Sequence, residues 1–161
     1  MYRVEDKFSC SEAEMFLLKA RLQSVLDTDT NQKDKEGYQI TSVYFDDYWD
    51  SCLRETIDGV SNRCKYRIRI YDDSFEVIKL EIKYKKDSRI FKLSQKITFE
   101  EMKTLLRGEC IERECEKDDV VGRMNIAIKT KKLTQSIQKF LVDIRITIFV
   151  THYSEFARDP N

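Results

Sequence analysis

The chain has 161 residues, 41% of them hydrophobic and 36% charged, and Lys plus Arg balances Asp plus Glu at 29 each. That length and apolar content suit one domain with a real core and exclude a disordered chain, while the charge balance argues against a generic nucleic-acid binder, so any anion site must come from local segregation of charge. Five irregularly spaced cysteines with no C-x-x-C, and His152 as the one histidine, argue against a zinc site and for reduced thiols.

The N-terminal stretch "MYRVEDKF" has no apolar h-region, and no run approaches a membrane span. Residues 2–8 alternate, with Arg3, Glu5 and Lys7 on one parity and Tyr2, Val4 and Phe8 on the other, which predicts a strand. Ser11 and Glu14 stand in capping-box positions. Met15, Leu18, Leu22 and Val25 then repeat at helical spacing, which predicts a helix over 12–26. A polar loop leads to "YQITSVYFDD", rich in β-branched and aromatic residues, read as a strand over 38–47. "YWDSCLRETIDG" suggests a short helix stopped near Gly59.

A hairpin follows, with strands near 64–72 and 76–86 and a turn through "DDSF", and then a strand at 89–97. Thr98 and Glu101 form a second capping box, and Gly108 closes that helix. A helix at 119–133 would place Val121, Met124 and Ile128 on one side, and the last clear strand is "LVDIRITIFV" at 141–150. Strands joined by short turns imply an α+β domain over 1–161, an antiparallel sheet with helices outside it.

The polar parity of these strands is mostly basic. It holds Lys7, Lys65, Arg67, Arg69, Lys79, Lys83, Lys85, Lys92, Lys96 and Arg145, against Glu5, Glu81 and Asp143. A solvated sheet face commonly mixes its signs, because like charges on neighbouring strands repel. The alternative is a curled sheet whose cations converge on a phosphate chain, with a few carboxylates for a divalent metal. RNA binding is the weaker reading, because Tyr66 and Tyr84 fall on the opposite parity and leave no stacking platform among the cations.

"YRVEDKF", "YQITSVYFDD", "DGVSNRCKYRIRIY", "KLEIKYK" and "DIRIT" occur in the order expected of the VTC (vacuolar transporter chaperone) domain. The sequence resembles that family over residues 2–147, within the wider triphosphate tunnel metalloenzymes, also called CYTH-like proteins. The resemblance implies an antiparallel β-barrel forming a tunnel. It also implies transfer of the ATP γ-phosphoryl group to inorganic polyphosphate, with Mn²⁺ or Mg²⁺. By position it assigns catalytic roles to Lys7, Arg67, Arg69 and Lys83. Lys92 and Arg145 become phosphate contacts, joined on the same parity by Lys65 and Lys96, and Glu5 and Glu81 become metal ligands. Arg3, where most tunnel enzymes have a second acid, matches the VTC branch.

The C-terminal third departs from the family pattern. "KTKKLTQSIQKFLVD" has no Y-x-R, Phe149 stands where an acid usually follows "RIT", and no later E-x-K strand is present. The C-terminal strands therefore read as missing or divergent, and the expected barrel as incomplete. An open edge would invite pairing with a second copy. The alternative functions are a non-catalytic module that binds polyphosphate or a nucleoside triphosphate, and a tripolyphosphate hydrolase. The expected setting is cytoplasmic, with the inner face of a membrane and a membrane-protein partner as a further option, and no nucleic acid.

Overall fold

The computed structural model describes residues 3–4, 8–27, 38–87, 89–114 and 119–142, without the side chains of 3–4 and 136–142. The elements in chain order are β1 (Arg3–Val4), α1 (Glu12–Leu22), β2 (Ile40–Asp46), α2 (Ser51–Ile57), β3 (Asn62–Tyr71) and β4 (Ser74–Lys86). They continue with β5 (Arg89–Ile97), α3 (Phe99–Leu106), α4 (Val120–Lys131) and β6 (Thr134–Val142). The strands form one six-stranded sheet in the order β1-β5-β4-β3-β2-β6, and every pairing is antiparallel. The α+β class is as expected. The barrel is not: among the described residues the sheet is open, with no pairing between its edge strands β1 and β6.

The β3–β4 hairpin turns on two aspartates. Asp72 and Asp73 have φ of 51° and 50°, the left-handed pair that a two-residue type I′ connection needs. Asp tolerates that region better than most residues, and each carboxylate finds a partner next door. Asp72 accepts from the Gln39 backbone N–H at 2.9 Å, and Asp73 from the Thr41 hydroxyl at 3.0 Å. The turn is thereby tied to the start of β2, which fixes β2 beside β3.

The "DD" at the end of β2 has a similar local role. Buried Asp46 accepts from the backbone N–H groups of Asp47, Cys52 and Leu53, and Asp47 accepts from those of Trp49 and Ser51. Both carboxylates thus satisfy donors that the first turn of a helix leaves open. Asp50, the N-cap of α2, is in the left-handed conformation and its own side chain makes no capping hydrogen bond.

The core lies on the apolar side of the sheet. Phe45, Tyr66, Ile68, Ile78, Leu80, Ile82 and Ile97 pack there against Met102 and Leu105 of α3 and Val121, Met124 and Ile128 of α4. Thr98 and Glu101 form the expected capping box. Gly59 and Gly108, at φ of 70° and 76°, follow the C-caps of α2 and α3 in the left-handed region that glycine adopts at low cost. Asn125 of α4 pins the intervening loop with both amide atoms. Its Oδ1 accepts from the Ile111 N–H and its Nδ2 donates to the Ile111 carbonyl, each at 2.9 Å.

Two elements differ from expectation, and a third is described only in part. α1 ends at Leu22, and none of its residues is buried; Met15, Phe16, Leu17 and Leu18 are exposed. Of the strand expected over 2–8, β1 is described at Arg3–Val4, and residues 2 and 5–7 lie outside the described residues. β6 begins at Thr134, before the strand expected at 141–150, because its register is set by β2, with Ile40 opposite Val142 and Asp46 opposite Thr134. Residues 143–150 of that expected strand lie outside the described residues.

Candidate functional site

The face of the sheet opposite the helices carries the charge, and its pattern follows from register. Residues directly opposite on antiparallel strands share a face. Ser42, Arg69, Lys79 and Lys96 align across β2, β3, β4 and β5 as one row. Tyr44, Arg67, Glu81 and Ser94 form the next, and Lys65, Lys83 and Lys92 a third across β3, β4 and β5. A fourth aligns Arg63, Lys85, Ile90 and the backbone position of Arg3. Glu81 is the one acid in these four rows. Neighbouring rows are two residues apart along a strand, about 7 Å.

Glu81 is 1% exposed, and cations surround it. Arg67 donates from Nε to Glu81 Oε2 at 2.8 Å, and its Nη2 lies 2.6 Å from the same oxygen. Lys92 Nζ lies 3.3 Å from Oε1, and Arg69 Nε lies 3.9 Å from Oε2. Burial alone would push the carboxyl pKa up, but Arg67, Arg69 and Lys92 outweigh it and hold Glu81 below the usual carboxylate range. Burial also disfavours the Arg67 charge, and here Glu81 and Tyr44 prevail and raise its pKa.

Two groups complete the arrangement. The Tyr44 hydroxyl accepts from Arg67 Nη1 at 3.2 Å, bracing the guanidinium from the β2 side. Arg69 Nε is buried and has no hydrogen-bond partner among the described residues. A buried donor in that state is costly unless an acceptor reaches it, so the position favours an incoming anion. Lys79, in the same row, lies over the Tyr71 ring, 5.0 Å from its centroid.

The structure thus brings Lys65, Arg67, Arg69, Lys83, Lys92, Lys96 and Glu81 onto one face. Lys7, Glu5 and Arg145 lie outside the described residues. Tyr44 and Lys79 belong to the site although neither was singled out for a role in it. Tyr44 was legible in principle, since it shares the parity of Ser42 and lies on the other parity from Val43 and Phe45. Tyr66 and Tyr84 lie on the helix side as expected, Tyr66 in the core and Tyr84 packed against it.

The sequence matches the VTC domain profile over residues 2–154. The chain belongs to the VTC domain family. No curated protein matches it. A divalent metal is expected for a VTC domain, through Glu5 and Glu81, and Glu5 lies outside the described residues. Both oxygens of Glu81 face cations, and no group of three or more His, Cys, Asp or Glu side chains that could hold a metal occurs among the described residues. These residues alone do not fit a metal centre of the oxygen-ligand kind. No helix among the described residues is long and apolar enough to cross a membrane.

Proposed function

We propose that this VTC domain binds inorganic polyphosphate on its cationic sheet face and lengthens it with the γ-phosphoryl group of ATP. The observation that carries the reading is the buried Arg69 Nε, 3.9 Å from Glu81 and without a hydrogen bond among the described residues, in a row with Lys79 and Lys96 next to the Arg67–Glu81 pair. Guanidinium forks and ammonium groups across several strands suit a chain of phosphates better than a single small anion. Family membership supports the same class of ligand.

In this mechanism the terminal oxygen of the acceptor chain attacks the γ-phosphorus. A P–O bond forms to the chain, the bond to the β–γ bridging oxygen breaks, and ADP leaves with that oxygen. The acceptor oxygen is already anionic, so no strong general base is required. Charge spreads over the equatorial oxygens during transfer, and Arg67, Arg69, Lys83 and the flanking lysines are fixed donors for it. Lys7 and Arg145 extend this set in the proposal. Mn²⁺ or Mg²⁺ remains part of it as an ion brought with the phosphates, and no step here is derived through it.

A second reading is binding without turnover on the same cationic face. Thermal shifts with tripolyphosphate, ATP and single-stranded RNA, each with Mn²⁺ and with EDTA, test the shared part. Tripolyphosphate should stabilise the chain by linkage and by relieving cation repulsion. No shift with any phosphate overturns both readings, and a shift with RNA alone points to nucleic acid. Incubation with ATP and Mn²⁺ then separates them, with long polyphosphate on a gel for the polymerase, none for the binder, and release of inorganic phosphate from tripolyphosphate for a hydrolase. Lys79→Ala with Lys96→Ala should abolish the shift and leave the fold intact.

A further inference from the structure

We infer that Glu81 is a positioning residue, a built-in counter-anion that holds Arg67, Arg69 and Lys92 in place for a phosphate chain, and not a ligand to a divalent metal. The inference rests on the reading of this face as a phosphate site, and the experiment below keeps the two apart.

The argument starts from the oxygens. Glu81 Oε2 takes Arg67 Nε at 2.8 Å and Nη2 at 2.6 Å, with Arg69 Nε at 3.9 Å. Oε1 takes Lys92 Nζ at 3.3 Å. A metal on Glu81 would have to displace one of these cations and then sit beside the others, where like charge repels it. It would also need further oxygen ligands, and no such cluster occurs among the described residues.

The cations, by contrast, need Glu81. Arg67 opposes it directly in the register, and Lys79 and Lys83 flank it along β4. Without a central anion these side chains would splay apart, and a ligand would have to order them on arrival. With Glu81 in place, Nε and Nη2 of Arg67 point at the carboxylate and Nη1 at Tyr44. The guanidinium plane is set before any ligand binds. Glu81 also neutralises the middle row and leaves Arg69, Lys79 and Lys96 on one side of it, and Lys65, Lys83 and Lys92 on the other. The two outer rows are about 13 Å apart along the strands. An anion that engages both must be elongated, which favours oligophosphates over orthophosphate.

The test is side-chain NMR of the Arg Nε–H groups in the full chain. In the wild type, Mg²⁺ alone should leave the Arg67 Nε–H signal unmoved; a shift or loss of that signal at Mg²⁺ levels that leave the backbone signals in place overturns the inference. Tripolyphosphate in EDTA should move Arg69 Nε–H and leave Arg67 Nε–H on Glu81. If tripolyphosphate moves neither, the polyphosphate reading falls while the Mg²⁺ result still decides the role of Glu81. In Glu81→Gln, exchange of Arg67 Nε–H should quicken about tenfold as a charge-assisted bond becomes a neutral one. Unchanged exchange in that variant also overturns the inference.

Discussion

Arg67 places Nε and Nη2 on a single oxygen of Glu81, at 2.8 and 2.6 Å, and leaves the other oxygen to Lys92. The pair is therefore part of the sheet's structure as well as of its charged face. Arg67→Ala would leave the buried Glu81 carboxylate with Lys92 and the more distant Arg69, and should cost at most about 3–5 kcal/mol, the loss on removing one partner of a buried pair. Adding Glu81→Gln to that variant should restore much of the loss. Urea unfolding of the two single variants and the double variant measures the coupling. A loss below about 1 kcal/mol for Arg67→Ala would show that the pair behaves as a solvated surface bridge.

Stability should also depend on acid. The folded pKa of Glu81 lies below its ordinary 4.5, because Arg67, Arg69 and Lys92 outweigh the effect of burial. A depressed carboxyl pKa contributes stability that is fully present above the unfolded value and is lost as pH falls through the folded one. Unfolding free energy should therefore decline below pH about 4.5. Glu81→Gln should remove part of that decline. Parallel curves for the two proteins between pH 3 and 6, in roughly that range, would assign the acid sensitivity to other carboxyls.

Asn125→Ala should destabilise the chain by about 2 kcal/mol, since it leaves both backbone groups of buried Ile111 without partners. Asn125→Asp keeps the acceptor for the Ile111 N–H and loses the donor to its carbonyl, so it should fall between. Hydrogen exchange at the Ile111 amide is the direct readout. It should quicken sharply in the alanine variant and less in the aspartate one.

Thiol reactivity should follow burial. Cys10 is exposed, whereas burial pushes the Cys52 thiol up to about 12, aided by neighbouring Asp46, and raises that of Cys64. A thiol reacts as its thiolate, so at pH about 8 iodoacetamide should label Cys10 well before Cys52 or Cys64 in the native protein. Mass spectrometry of a time course reads the order. Early labelling of Cys52 would contradict the packing around α2.

Much of the fold was legible because its signals are local. β-Branched and aromatic content marked β2, alternation marked β3 to β5, Thr98 with Glu101 marked the start of α3, and Gly59 and Gly108 marked helix ends. Parity alone put Arg67, Arg69, Lys83, Lys92 and Glu81 on a common face. What escaped depends on distant partners. "TQSIQKFLV" has no clean alternation, and it is a strand because β2 offers it an edge. The length of α1 was overestimated because Val25 continues the apolar spacing, although the helix stops at Leu22. The cation lattice on Glu81 needed cross-strand register, which no single segment of sequence contains.

The strand order has a kinetic consequence. β3, β4 and β5 are successive hairpins, whereas β1 and β6 join the sheet from opposite ends of the chain. Local pairings close sooner than distant ones, so the central meander should form first. It carries Arg67, Arg69, Lys79, Lys83, Lys92 and Lys96, so the earliest structure to form also bears the densest like charge. Salt screens that repulsion in the nascent hairpins. Stopped-flow refolding should therefore accelerate with ionic strength more than unfolding slows, which would make this face a brake on the protein's own assembly.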